Sequence, residues 1–216
     1  MSHKREGAAR RKGGIWITLG LLLIVAALAL VSYNLYDALR AEQSAWRIIN
    51  SLEEASEEYS RISAPAEASE KAALPQEPVL DSQMEMPVKT IDGIEIVGVL
   101  RIPALELELP IISQWSYPDL QTAPCRYSGS AYLNNLILCG HNYSSHFGNL
   151  KELREGDIIT FTDMDGNLFA YEMAERETLM PTSVGEMTSG DWDLTLFTCT
   201  VGGKSRVTVR CDRVKD

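Results

Sequence analysis

The segment IWITLGLLLIVAALALV, residues 15–31, contains no charged side chain, and the uncharged stretch continues through SYNLY to Tyr36. A run of about 20 such residues crosses a hydrocarbon core of about 30 Å as a helix. In lipid every backbone N–H and C=O must find its partner within the protein, so a single span of this kind has only the helix open to it. A cleaved signal sequence is the competing reading, because Ala27-Leu28-Ala29 resembles a small-residue cleavage site. The apolar run is longer than a signal core of about 7–15 residues and passes that site unbroken, so the expectation is a retained transmembrane anchor over residues 15–36.

Charge sets the orientation. Lys4, Arg5, Arg10, Arg11 and Lys12 precede the span, whereas Asp37, Arg40 and Glu42 follow it. The positive-inside rule then places residues 1–14 in the cytosol as a basic segment and everything after Tyr36 outside the cell membrane, in a single-pass arrangement. Removing those five bases and Glu6 from the 20 basic and 30 acidic residues leaves 15 and 29, a formal charge of −14. Such a surface repels nucleic acid and anionic lipid headgroups, so nucleic-acid partners are set aside.

Residues 37–62 carry strong helix formers with apolar residues at Leu39, Trp46, Ile49 and Leu52, which predicts a helix leaving the membrane. The following APAEASEKAALPQEPVLDSQMEMPVKT has little to bury, so residues 37–90 read as a helical and then Pro/Ala/Glu-rich stalk. From residue 91 to 216 the pattern changes to IEIVGVLRI, LELELPII, YLNNLILC, DIITFTD, NLFAYEMAERETL, LTLFTCT and SRVTVRCDRV, each bounded by turn residues. About seven or eight short strands of this kind predict a mainly β domain, a closed or nearly closed barrel. Asp165-Gly166 marks a hairpin tip, and HFGNLKEL a short helix or turn. DMDGN lacks the glycine and glutamate spacing of a calcium loop. His141 and His146 stand five apart outside any HExxH pattern, so no metal is expected. Cys125, Cys139, Cys199 and Cys211 form no CxxC pair and are compatible with two disulfides, one or none.

Chemistry concentrates in LTLFTCTVGGKSRVTVR, residues 194–210. If Gly202-Gly203 form a two-residue turn, positions on the flanking strands pair so that Cys199 faces Arg206 and their side chains share a face. Leu194, Leu196 and Thr198 then lie inward with Val207, Val209 and Cys211, while Thr195, Phe197 and Cys199 share a working face with Arg206, Thr208 and Arg210. A neighbouring cation favours the thiolate of a cysteine. Arginine stays protonated, so it stabilises an oxyanion but cannot act as the base. His141, immediately after the apolar run LILCG, supplies the proton donor for a departing amine. Cysteine, histidine and arginine thus divide the work of acyl transfer between them. His146, deeper in the same loop, reads as surface or structural.

At these residues the sequence resembles the sortases, cysteine transpeptidases of the Gram-positive cell surface. The family's TLxTC motif stands here as Thr195-Leu196-Phe197-Thr198-Cys199, His141 follows a strand and Gly140, and Arg206-Val207-Thr208-Val209 matches the pattern that opens the next strand. The HNYSSHFG segment resembles class B or D members more than the staphylococcal housekeeping type, and no Asp-Pro-aromatic lid of the pilin-polymerising class precedes the barrel. The resemblance implies a sortase-type β-barrel over residues 91–216 with catalytic His141, Cys199 and Arg206 and no cofactor. It also implies substrate contacts near Thr195, Phe197 and Thr198, with residues 179–193 as one wall of a peptide groove. Such enzymes cleave an LPxTG-like sorting signal of surface proteins between Thr and Gly through a thioester. They pass the acyl group to an amine, on a peptidoglycan precursor or a pilin lysine. Cys199 must then stay free, while a Cys125–Cys211 bridge is open to the chain. Two other readings compete: an extracellular cysteine hydrolase without transfer, and a membrane-tethered binding domain with an inert thiol. In papain-like enzymes the cysteine precedes the histidine, the reverse of the order His141, Cys199.

Overall fold

The turn-bounded apolar runs from residue 94 onward close into a barrel. The structure, a computed structural model, describes residues 3–62 and 85–214. The linker expected over 63–84 lies outside the described residues. The chain divides into two compact units, Met1–Leu39 and Arg40–Asp216, and one helix, α1 (His3–Ile62), contributes to both. In the first unit α1 exposes its apolar side chains, among them Trp16, Leu22, Leu30 and Tyr36. From Trp16 onward it is long and apolar enough to cross a membrane.

In the second unit α1 buries Ala41, Ala45, Ile48 and Ile49, spaced i, i+4, i+7 and i+8 along one face. The larger Leu39 and Trp46 point outward, Trp46 being 63% exposed. Small side chains let the helix axis approach closely, so here alanine rather than tryptophan marks the packed face. Met86, in the stretch read from sequence as stalk, is buried in the core, and its sulfur accepts from the Ala131 amide at 3.5 Å.

The strands follow in chain order as β1 (Lys89–Ile91), β2 (Ile94–Ile102), β3 (Leu107–Ile112), β4 (Cys125–Ser128) and β5 (Leu136–Gly140). The second half supplies β6 (Ile158–Asp163), β7 (Leu168–Leu179), β8 (Leu194–Cys199) and β9 (Arg206–Arg213). Short helices α2 (Tyr117–Leu120) and α3 (Val184–Thr188) lie between β3 and β4 and between β7 and β8. The strand order is β1-β2-β3-β4-β5-β8-β9-β7-β6, and β6 returns to β2, so eight strands close and β1 is an extra strand on β2. Leu100, Leu138, Phe161, Phe169, Tyr171, Leu196 and Val209 fill the core, each at most 1% exposed. β3 starts two residues later than the pattern predicts because Pro103–Leu105 form a 3-10 turn ending on left-handed Glu106. β5 likewise starts at Leu136, after the 3-10 turn Ala131–Leu133. At the Asp165-Gly166 hairpin the Asp163 carboxylate accepts from the Asp165 and Asn167 amides, the Asn167 side chain and the Tyr132 hydroxyl.

Candidate active site

Three adjacent strands deliver the chemistry to one end of the barrel. β5 and β8 run parallel, pairing from Leu136↔Leu194 to Gly140↔Thr198. The next residues in step are His141 and Cys199. β8 and β9 run antiparallel and end on the pair Cys199↔Arg206. Cys199 therefore sits between the strand that leads into His141 and the strand that begins with Arg206. The predicted register of β8 and β9 is the observed one. The turn differs: Thr200 and Ser205 close a four-residue loop, with the Gly203 amide donating to the Thr200 carbonyl at 2.8 Å. Positive φ at both Gly202 (81°) and Gly203 (70°) makes glycine the natural residue there. Nη1 of Arg206 donates to the carbonyls of Gly203 and Ser205, so the loop itself seats the guanidinium.

The loop that carries His141 folds back tightly on β5. The Phe147 amide donates to the His141 carbonyl, and the His146 and Gly148 amides donate to the Tyr143 carbonyl. A Cβ on Gly140 would lie 2.8 Å from the Phe147 ring, so the close approach of Phe147 requires glycine. The His141 ring stacks on Tyr143 with centroids 4.8 Å apart, and Tyr143 meets His146 edge-on at 5.5 Å. His146 is fully buried, which corrects the surface alternative of the sequence reading. Neither of its ring nitrogens has a well-formed hydrogen bond, although the Ala41 carbonyl of α1 lies close enough to favour its proton slightly. Burial, followed by the neighbouring His141, holds its pKa down at about 4.

A groove opens beside Cys199. Phe197, Thr198, Cys199 and Arg206 line it together with Met180, Pro181, Val184 and Met187. The second set comes from the 179–193 segment. Aromatic rings floor the groove: Trp115 stacks on Tyr127 at 5.8 Å, and Tyr127 meets Phe197 edge-on at 5.3 Å. The sequence reading did not single out Trp115 or Tyr127, which stand outside the recognised motifs.

The expected substrate-contact residues separate. Phe197 is half-buried in the groove, whereas Thr198 borders it at only 3% exposure with its hydroxyl donating to the Gly140 carbonyl at 2.8 Å, locking β8 to β5. Thr195 is 2% exposed and accepts from Nη1 of Arg210 at 3.0 Å, which places it beneath the groove rather than in it. Arg210, placed from sequence on the working face with Arg206, is itself buried. The register that pairs Cys199 with Arg206 also pairs Thr195 with Arg210, and this was the signal available for it.

All four cysteines are free thiols. Cys125 and Cys211 belong to different core clusters, so the bridge left open between them is not formed. Cys125 instead faces Cys139 across β4 and β5. Burial pushes the Cys139 thiol up to about 12 and raises those of Cys125 and Cys211 as well. Cys199 is the half-exposed one. Among the described residues no group of three or more His, Cys, Asp or Glu side chains is placed to hold a metal ion.

Comparison with known proteins identifies the class that this fold and site define, a cysteine transpeptidase. The family model described as Sortase domain matches residues 100–214, more than half of the chain, and the chain belongs to the sortase family. Sortase A of Bacillus anthracis is 24% identical over 211 residues, covering 95% of this chain and 90% of that protein. The crystal structure of sortase C1 from Streptococcus agalactiae is 27% identical with a TM-score of 0.51, covering 59% of this chain and 72% of that one. A Clostridium perfringens sortase D5 transpeptidase, 22% identical, shares the fold with a TM-score of 0.50 over 56% of this chain and 79% of its own.

Proposed function

We propose that this transpeptidase is held in the cell membrane by α1, with its N-terminus cytosolic and its barrel outside. There it cleaves an LPxTG-like signal between Thr and Gly and joins the acyl fragment to an amine. The observation that carries this is the position of Cys199, between the end of the His141 strand and Arg206, at the head of an apolar, aromatic-floored groove. The signal's apolar residues lie along the groove, and its threonine carbonyl reaches Cys199.

The Cys199 sulfur, as a thiolate with its proton on His141, forms a bond to that carbonyl carbon, and the guanidinium of Arg206 holds the oxyanion that develops. His141 gives its proton to the glycine nitrogen as the C–N bond breaks, leaving a thioester. In the second half the incoming amine, from a peptidoglycan precursor or a pilin lysine, attacks the thioester carbonyl. The C–S bond then breaks and a proton returns to His141. The excess of basic residues before the span supports the orientation.

The test uses the full chain in detergent micelles, wild type and Cys199→Ala, mixed with LPxTG-like peptides and amines and read by mass spectrometry. A thioester on wild type alone, followed by amine-capped product, supports the reading. Cleavage to free acid in abundant amine makes it a hydrolase. No adduct, with Cys199 inert to alkylation, leaves a tethered binding domain. Arg206→Ala should lower turnover by about 100-fold or more, as loss of an oxyanion donor does, with Cys199 still alkylatable.

A further inference from the structure

We propose that Arg210 is a specificity-determining positioning residue, which fixes the apolar wall of the groove by clamping α3 to the β8–β9 face. The inference rests on the groove being the site of the signal peptide.

Arg210 is 3% exposed, and its guanidinium reaches four acceptors. Nε donates to Oε1 of Glu177 at 2.7 Å on β7. Nη1 donates to the Met187 carbonyl at 2.9 Å and to Oγ1 of Thr195 at 3.0 Å. Nη2 donates to the Glu186 carbonyl at 2.7 Å. The two carbonyls belong to the last turn of α3, where a helix leaves its acceptors without partners and favours a cation. One buried fork thus joins β7, β8, β9 and α3. Thr208, next on the same face of β9, adds a contact from its hydroxyl to the Met187 sulfur at 3.7 Å.

α3 is a single short turn, and its position matters because Val184 and Met187 line the same groove as Phe197. A helix of five residues does not hold its own geometry in water. Its placement must come from tertiary contacts, and those through Arg210 are charge-assisted, the stronger kind of hydrogen bond. Lysine cannot replace them, since it lacks the planar fork. The first threonine of TLFTC acquires a role as well. Thr195 does not touch the peptide but completes the shell that orients Arg210. The working face is then a ladder of three rungs: Cys199 with Arg206 for chemistry, Phe197 with Thr208 for the floor, Thr195 with Arg210 for the wall.

The test compares full-length wild type, Arg210→Met, Arg210→Lys and Thr195→Val in micelles. Substrates are Leu-Pro-Ala-Thr-Gly peptides and analogues with Ile, Ala or Asn in the first place. Arg210→Met keeps most of the volume, and Glu177, whose side chain is 32% exposed, can turn to water. We expect KM for the preferred peptide to rise by about tenfold, the first-place preference to flatten, and kcat to stay within about threefold. Arg210→Lys should fall between, and Thr195→Val should shift KM the same way by less. Hydrogen exchange of residues 184–188 should accelerate in Arg210→Met, a readout independent of turnover. A folded Arg210→Met with wild-type KM, preference and exchange would overturn the proposal. Loss of kcat at unchanged KM would overturn it too, by making Arg210 the oxyanion donor in place of Arg206. If Arg210→Met does not fold, Thr195→Val decides by the same criteria. If wild type acts on no peptide, the functional reading fails, and unchanged exchange in the variants would refute the clamp separately.

Discussion

Acid should unseat the loop that carries His141, and His146 is the group through which it does so. This imidazole is sealed by Tyr143, Phe147's tight turn and Ala41 of α1, with His141 one ring away. Its pKa is held at about 4, against 6.5 in the unfolded chain, chiefly because burial disfavours the cation. The unfolded state therefore takes up the proton first as pH falls. Stability from this site is complete above about pH 6.5, declines on going down, and levels off below about pH 4. At about 1.4 kcal/mol per pH unit, the gap between the two pKa values amounts to about 3 kcal/mol, a sizeable part of the stability of an ordinary domain. Other groups titrate in the same range, so the decisive quantity is a difference. Urea denaturation of the barrel, followed by tryptophan fluorescence in wild type and His146→Leu between pH 4 and 8, isolates it. The wild type should lose about 3 kcal/mol more than the variant across that window. Parallel pH profiles would refute the reasoning, as would a His146 imidazole resonance that titrates near its ordinary value.

Gly140→Ala forces a methyl against the Phe147 ring, so it should cost about 1–3 kcal/mol in unfolding free energy and displace His141, lowering turnover more than peptide affinity. Thiol titration of the native protein should count one reactive cysteine, Cys199, with Cys125, Cys139 and Cys211 appearing only after denaturation. Two fast thiols in the native state would contradict the packing. Thr198→Val deletes the 2.8 Å bond to the Gly140 carbonyl and leaves that carbonyl buried, so a loss of about 1–3 kcal/mol should appear in the denaturation midpoint.

Local pattern carried much of this structure. Alternation and turn residues marked the long strands because each has one face in the barrel and the glycines of the β8–β9 loop have to adopt positive φ. The pairing of Cys199 with Arg206 followed from the same hairpin geometry, since hairpin register is a local property. β1 and β4 escaped notice because strands of three and four residues carry too little periodicity to stand out. The parallel pairing of β5 with β8 is non-local, so the sequence offered His141 only as a histidine at a strand end. The packed face of α1 was hidden by composition, as Ala41 and Ala45 look unremarkable beside Trp46. Thr195 and Arg210 were on the right face for substrate but are covered by α3, a tertiary contact that no short-range rule reports.

The parallel union of β5 and β8 has a consequence for when the proposed site can first assemble. Residues 141–193 separate the two strands, and they include the β6–β7 hairpin that zips back to β2. A nascent chain holds His141 long before Cys199 exists. In the finished polypeptide they meet only through the non-local pairing of β8 with β5, a contact of the kind that slows folding. Under the proposed chemistry an immature Cys199 thus lacks His141 as its proton donor, even where the local β8–β9 hairpin has already brought Arg206 beside it. On that mechanism competence waits for a single long-range strand pairing, β5 with β8, rather than for any local element.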